Sequence, residues 1–182
     1  MPLKPLIAEF GVSWTNHDAW SETYIGVWRL LKKILPDTFE EQKAQDSALC
    51  KLAIVGSHQP MELSIDRLLR KSEVSPRKIK AASFREALVT LVVDATGTAL
   101  DLNEEPFKST EKVRIMRNCS LHEASVFACV EMARSAIYST TEGTKSLYAH
   151  FGERFPYTHI LKRHPLPEDV HFSSNSFSAY CR

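Results

Sequence analysis

The chain has little glycine, little net charge and no long apolar run, and each shortage argues against a class of protein. Six glycines in 182 residues are too few for the tight hairpin turns of an all-β fold. A formal net charge of +1 is at odds with a cationic coat for nucleic acids, so phosphate would have to be bound by a local patch. No apolar run can span a bilayer, and the first five residues lack the apolar region of a signal peptide. We therefore expect a cytoplasmic protein with no membrane association.

Metal-binding patterns are missing as well. The four cysteines show neither CxxC pairing nor the spacing of a metal site, which favours reduced thiols in the cytoplasm: Cys50, Cys119, Cys129 and Cys181. The histidines near the C-terminus match no recognised set of ligands. We expect neither a metal nor a cofactor.

Helical periodicity with capping signals is what the sequence does contain. Apolar residues recur at helical spacing up to residue 35, and a second helical stretch is expected to reach residue 69, bent or split by Gly56 and Pro60. Ser83 and Glu86 form an S-x-x-E capping box, and Gly97 is suited to end the helix that this box opens.

A second capping box predicts a junction between two further helices. Ser120 and Glu123 have the spacing of such a box, so a short helix should cover residues 108–118 and a long one residues 121 to about 141, closed by Gly143. The sequence predicts an all-α fold in a single domain, residues 1–182. Residues 143–182, which show little periodicity, are expected to form an irregular C-terminal extension.

Arg117 and His122 flank this predicted junction. A helical wheel places His122 within the apolar arc of the last long helix, so its side chain should face the core, a cleft or a subunit interface. A neutral imidazole can act as a general base at pH 7, whereas an arginine stays charged and can bind phosphate oxygens with two donors. The other interpretation of His122 is a buried histidine with a structural role.

Together these two residue types suggest metal-independent cleavage of RNA. His122 would deprotonate a ribose 2′-OH, which attacks the adjacent phosphorus, while Arg117 stabilises the charge that accumulates on the phosphate oxygens. Asn118 could orient the phosphate or the imidazole, although asparagine is equally suited to a helix C-terminus. DNA lacks the 2′-OH and would be spared.

Basic residues near this motif are candidates for binding the RNA backbone. Lys112, Arg114 and Arg67 belong to regions with few acids, although such residues usually form an ordinary solvated face. A second Arg-x4-His spacing joins Arg154 to His159. Because it contains a proline and has no capping box, we interpret it as a coincidence of spacing.

The segment from Arg117 to His122 resembles the R-x4-6-H signature of the HEPN superfamily, in which a polar residue such as Asn118 often follows the arginine. Residues 57–69 look like an earlier helix of that family, with Glu62 as the matching acid and Arg67 as an approximate match to its basic position. Asp66 stands where lysine is frequent. The resemblance covers roughly residues 15–142 and leaves the C-terminal extension unexplained.

The resemblance implies an up-and-down bundle of four or five helices at residues 15–142. Such a bundle often dimerises and brings two of these motifs into one cleft. The resemblance also implies metal-independent ribonuclease activity, frequently that of a toxin paired with an antitoxin or of a phage-defence effector. On this basis we expect an endoribonuclease with RNA as substrate, a homodimer with the site at its interface, and a protein antitoxin as a further partner. Arg117 and His122 would be catalytic, with Asn118 and Glu62 in support.

Two other functions remain open. The chain could be a non-catalytic helical module that binds nucleotide, RNA or a partner protein, with His122 as a packed interface residue. Asp37, Glu41 and Lys43 also carry the letters of a magnesium-dependent PD-(D/E)xK nuclease. That centre needs its acids on adjacent β-strands, and these residues fit a helix N-terminus better.

Overall fold

A computed structural model describes residues 19–34, 40–122, 127–168 and 170–176. These residues form helices and no strand, which confirms the all-α prediction, while the up-and-down order stays a prediction. No helix in the described ranges is both long and apolar enough to cross a lipid bilayer. The helices are α1 (Ala19–Leu31), α2 (Glu40–Lys71), α3 (Pro76–Ala81), α4 (residues 84–96), α5 (Phe107–His122), α6 (Val130–His150), α7 (Thr158–Arg163) and α8 (Ser173–Ser176).

Helix α2 lies at the centre and contacts α1, α5 and α6. It runs through both Gly56 and Pro60, so the prediction that these residues might split it is wrong. Gly56 serves close packing instead, because a Cβ there would lie 2.8 Å from Cγ2 of Val27 on α1. Neighbouring helices bury α2 around Pro60, so packing outweighs the local preference of proline.

Helix α4 follows the signals that predicted it. Ser83 Oγ accepts from the backbone N–H of Glu86 at 3.2 Å, and the Glu86 side chain accepts from the backbone N–H of Ser83 at 3.4 Å. Gly97 ends the helix with φ 74° in the left-handed region. The middle of α4, Ala87–Leu91, is π-helical.

The junction predicted at Ser120 is absent. Helix α5 continues through Ser120 to His122, and α6 begins only at Val130. An N-cap residue needs a non-helical backbone, and nothing between Arg117 and His122 breaks the preceding helix, so the capping box does not form at Ser120. Glu123 lies outside the described residues. Cys129 takes the N-cap position with an extended backbone, and the preceding N–H of Ala128 donates to Ser47 Oγ at 3.1 Å.

Gly143 does not end the last long helix, which continues to His150. A Cβ at position 143 would lie 2.5 Å from Thr110 Oγ1 on α5 and 3.2 Å from Met61 Sδ on α2. The glycine therefore permits the close approach of three helices. Helix α6 ends at His150, and the chain turns away at Gly152, whose φ is 67° and whose N–H donates to the carbonyl of Ala149 at 3.0 Å.

The expected irregular extension is largely structured, and the boundary at residues 142 and 143 falls inside α6. Tyr157 is buried and its ring stacks on Trp20 of α1, with 4.0 Å between ring centroids. Tyr24 donates its hydroxyl to the carbonyl of His164 at 2.8 Å. Helix α8 is tied to α6 by the N–H of Ser173, which donates to Ser139 Oγ at 2.9 Å. The C-terminal residues that the structure describes thus belong to the same core.

The close approach at Gly143 predicts opposite effects for two glycine-to-alanine changes. Gly143→Ala should lower the free energy of unfolding by about 1–3 kcal/mol, because the new methyl group overpacks the contact with Thr110 and Met61. Gly26→Ala in α1 meets nothing within 4 Å and should raise it by about 0.5–1 kcal/mol. Urea unfolding measures both changes. A stabilising Gly143→Ala would contradict the packing described for α2, α5 and α6.

Candidate functional site

The structure brings Arg117 of α5 to Glu62 of α2. Arg117 Nη1 lies 3.6 Å from Glu62 Oε1, and each side chain keeps about a third of its surface exposed, 32% and 36%. The next residue toward the core on each helix, Met116 and Met61, is fully buried. The pair therefore lies at the edge of the α2–α5 interface, with the buried methionines on its core side and solvent on its outer side.

A third group, His58, lies beneath this pair and was not singled out as a site residue. Its side chain is completely buried, and its Nδ1 lies 3.3 Å from Glu62 Oε1. The contact is electrostatic rather than a well-aligned hydrogen bond, because neither Nδ1 nor Nε2 has a hydrogen-bond partner among the described residues. The imidazole packs on the ring of Phe84, with 4.4 Å between centroids.

Glu62 is held in its charged form by its two neighbours. Burial by itself would raise the pKa of this carboxyl group, but the His58 imidazole and the Arg117 guanidinium outweigh burial and lower the pKa below its ordinary value of 4.5. At neutral pH Glu62 is therefore a carboxylate that can restrain the guanidinium of Arg117.

The environment of His122 differs from the prediction. His122 is the last residue of α5, not a residue in the first turn of the next helix, and its side chain is exposed. The inward orientation given by the helical wheel is wrong, because that wheel assumed a helix running from Leu121 into α6. On one continuous helix, residues five apart point about 140° apart and are separated by about 7.5 Å along the axis. Arg117 and His122 of one chain thus face different directions.

Asn118 shares a face of α5 with His122 rather than with Arg117, because consecutive helical residues point about 100° apart. It is half-buried and stands one helical turn before His122, so the two side chains share a face of α5. This position suits an orienting contact with the imidazole. The alternative, a C-terminal cap at Asn118, does not apply because α5 continues for four more residues.

Of the three basic residues considered for RNA, two have partners within the chain. Arg114 donates to both carboxylate oxygens of Glu111, at 2.9 and 2.7 Å. Arg67 Nη1 donates to the hydroxyl of Tyr157 at 3.0 Å, at the far side of α2 from Glu62. Lys112 is exposed and makes no ion pair with a described residue. Arg114 stands one helical turn before Arg117 on α5, but its guanidinium is taken up by Glu111. The structure therefore does not bring Lys112, Arg114 and Arg67 together as one cluster of unpaired cations.

The residues of the alternative magnesium centre are only partly described. Asp37 lies outside the described residues, whereas the backbone of Glu41 and Lys43 belongs to the first turn of α2. Such a centre needs adjacent strands, so the helix favours the interpretation as an N-terminal turn. Within the described ranges, no group of three His, Cys, Asp or Glu side chains could hold a metal ion.

Two cysteines are also unsuited to nucleophilic chemistry. Burial raises the pKa of Cys50 to about 12, and burial likewise raises the pKa of Cys129. Because the thiolate is the reactive form, neither thiol is activated at neutral pH.

The second Arg-x4-His spacing, set aside as a coincidence, lies on the surface of a cavity. Arg154 and His159 line it together with Lys162, at the turn between α6 and α7. A turn at Pro156 would bring Arg154 and His159 close together, and the sequence could have been used to predict this shared cavity. His58 could likewise have been found from its position four residues before Glu62 on a helix, since such residues face each other.

Comparisons of the chain with protein-family models, with curated proteins and with solved structures found no match. The function proposed below therefore depends on the residues of the site.

The contacts of Glu62 predict a pH-dependent loss of stability in Glu62→Gln. Because the pKa of Glu62 is lowered in the folded protein, its carboxylate stabilises the fold above the ordinary pKa of 4.5, and this contribution is lost as the pH falls through the lower folded value. The difference in free energy of unfolding between wild type and variant should be present at pH 7 and shrink below about pH 4.5. Urea unfolding at a series of pH values measures it.

Asp66→Asn is the matched control for this experiment. Asp66 accepts from Arg70 at 2.7 Å four residues along the same helix, but both side chains are exposed, 44% and 51%. Exposed pairs of this kind typically contribute about 0–1 kcal/mol. A Glu62→Gln effect that is as small as the control, or that does not change with pH, would contradict the role assigned to Glu62.

Proposed function

We propose that this chain is a metal-independent endoribonuclease of HEPN type that works in the cytoplasm as a homodimer. Arg117 binds the scissile phosphate and His122 is the general base on the ribose 2′-OH. The contact between Glu62 and Arg117 is the observation that carries the proposal, because it joins the two short motifs on which the resemblance rests. A toxin with a protein antitoxin, or a phage-defence effector, is the corresponding physiological role.

Arg117 is suited to binding phosphate because Glu62 restrains its guanidinium while other N–H donors of that group remain available. Only Nη1 approaches Glu62, and the distance of 3.6 Å is that of a loose ion pair. A guanidinium carries five N–H donors, so the others remain for the phosphate oxygens. Restraint by Glu62, itself held by His58, reduces the conformational entropy that Arg117 loses when it binds its substrate.

The proposed reaction needs no ion. His122 takes the proton of the 2′-OH, and the resulting alkoxide attacks phosphorus while the bond to the 5′-oxygen breaks. The leaving oxygen takes up a proton from water or from an imidazolium. The products are a 2′,3′-cyclic phosphate and a 5′-hydroxyl, and Arg117 stabilises the negative charge on the phosphoryl oxygens during the transfer.

In the proposed homodimer, each active site combines Arg117 of one copy with His122 of the other. Arg117 and His122 face different directions on α5, so one phosphate is more readily reached by Arg117 of one copy and His122 of another. Leu121 and Phe127 support pairing at this end of α5, because their side chains are large, apolar and 53% and 51% exposed. A two-fold axis there would create two equivalent composite sites.

The same observations favour one alternative. Arg117 already has an intramolecular partner, which fits a non-catalytic helical module that binds nucleotide, RNA or a partner protein. That alternative expected His122 to be packed at an interface, and within the described chain His122 is exposed. Such a module would bind without turnover. Since His122 is exposed, His122→Ala should leave the stability within about 0.5 kcal/mol of wild type under either hypothesis, and any loss of activity can be attributed to the site.

Incubation with total RNA and with plasmid DNA, each with and without EDTA, tests the enzyme. We expect RNA cleavage that EDTA does not reduce, and intact DNA. Arg117→Ala and His122→Ala should each lower the cleavage rate by about 100-fold or more, the loss typical of a phosphate-binding cation or a general base. Exposed Arg29 and His171 provide the matched controls Arg29→Ala and His171→Ala, which should cleave as wild type does. Full activity in both site variants would exclude the proposed mechanism.

Mixing the two inactive variants tests the composite site. After exchange, about half of the dimers would pair Arg117→Ala with His122→Ala, and each such dimer has one intact site out of two. We therefore expect about a quarter of the wild-type rate, compared with almost none for either variant alone. If the mixture stays inactive although subunits exchange, both residues of a site must come from one chain.

A further inference from the structure

A second cationic site lies at the turn between α6 and α7. A surface cavity of about 430 Å³ is lined by Arg154, Phe155, Pro156, Thr158, His159 and Lys162. The volume is within the range of roughly 300–1,000 Å³ that is usual for small-molecule sites. Three of the six lining side chains are basic and none is acidic.

The charge of this cavity is not compensated within the described chain. Arg154, His159 and Lys162 make no ion pair with any described residue. The nearest acid in sequence, Glu153, is paired with Lys71 at the end of α2. Arg114, by contrast, pairs with Glu111 at 2.7 Å. The cavity therefore carries a local positive potential that an anion would neutralise.

The backbone that carries these side chains is anchored on both sides. Before Arg154, the N–H of Glu153 donates to the carbonyl of Tyr148 at 2.9 Å, which completes the turn at the end of α6. After it, Tyr157 and Ile160 are buried in the core, and the Phe155 ring packs edge-on against Trp20 with 5.7 Å between centroids. The cavity is thus formed before a ligand arrives.

The helical spacing on α7 directs two of the basic side chains to one side. His159 and Lys162 are three residues apart and share a face of the helix, while Ile160 between them points into the core. Arg154 reaches the same cavity from the other side of the turn. The hydroxyl of Thr158, which also lines the cavity, donates to the carbonyl of Phe155 at 3.4 Å.

We propose that this cavity binds the phosphate chain of a small organic phosphate, such as a nucleoside di- or triphosphate. A guanidinium binds phosphate oxygens with two parallel donors, an ammonium binds as a point charge, and an imidazole adds a third donor. Three cationic or donating groups match a ligand with several negative charges better than a single carboxylate. Phe155 and Pro156 provide an apolar edge for the organic part. Neither Arg117 nor His122 lines this cavity.

Isothermal titration calorimetry of the full chain in EDTA tests the proposal with ATP, inorganic pyrophosphate and adenosine. We expect saturable binding of ATP and pyrophosphate with Kd below about 1 mM, which two or three charge-assisted contacts can supply, and no binding of adenosine. Arg154→Gln and Lys162→Gln should each weaken binding about tenfold, and raising the salt concentration should weaken it further.

Arg163→Gln is the matched control. Arg163 is exposed on the same helix and loses the same charge in the variant, but it does not line the cavity, so affinity should stay within about twofold of wild type. An equal loss in Arg163→Gln would show a diffuse electrostatic effect and overturn the site. Failure of both ATP and pyrophosphate to bind would also overturn it, and so would binding of a 5′-hydroxyl oligoribonucleotide alone, which would indicate an RNA-backbone contact. Neither result bears on cleavage by Arg117 and His122.

Discussion

The burial of α2 between α1, α5 and α6 is the constraint on which the rest of the structure depends. Glycines at two contacts, Gly56 on α2 and Gly143 on α6, let neighbouring helices approach within distances that a Cβ would prevent. The same packing positions the candidate site. Met61 is buried beside Gly143, so the next residue, Glu62, emerges at the edge of the interface, where Arg117 meets it. The position of α2 therefore determines both the packing of the core and the contact between Glu62 and Arg117.

The two candidate sites differ in whether their arginine is paired with an acidic side chain, and this difference bears on their proposed functions. Arg117 is balanced by Glu62, whose charge is in turn maintained by buried His58. A balanced and restrained cation suits a site in which negative charge increases during a reaction, as proposed for RNA cleavage. Arg154 and its two basic neighbours have no such counter-charge in the described chain, which suits a ligand that is anionic when it arrives.

Local signals succeeded where tertiary packing agreed with them. The capping box at Ser83 and the left-handed glycine at 97 formed as predicted, because both are satisfied by atoms a few residues away. The box at Ser120 and the stop at Gly143 failed for a common reason. A serine can cap only where the preceding helix has ended, and a glycine can serve close packing as well as a helix end. The residues next to Ser120 and Gly143 do not determine whether the serine caps a helix or whether the glycine ends one.

The sequence by itself determined the helical class and most helix positions. These follow from periodicity, capping and residue chemistry, which act over a few residues. Tertiary structure alone decided that His58 is the buried histidine and His122 the exposed one, since burial depends on which helices meet. It also decided that Arg154 and His159, across a proline-containing turn, share a cavity with Lys162. Contacts between residues on different elements depend on how those elements pack, and local sequence patterns do not specify that packing.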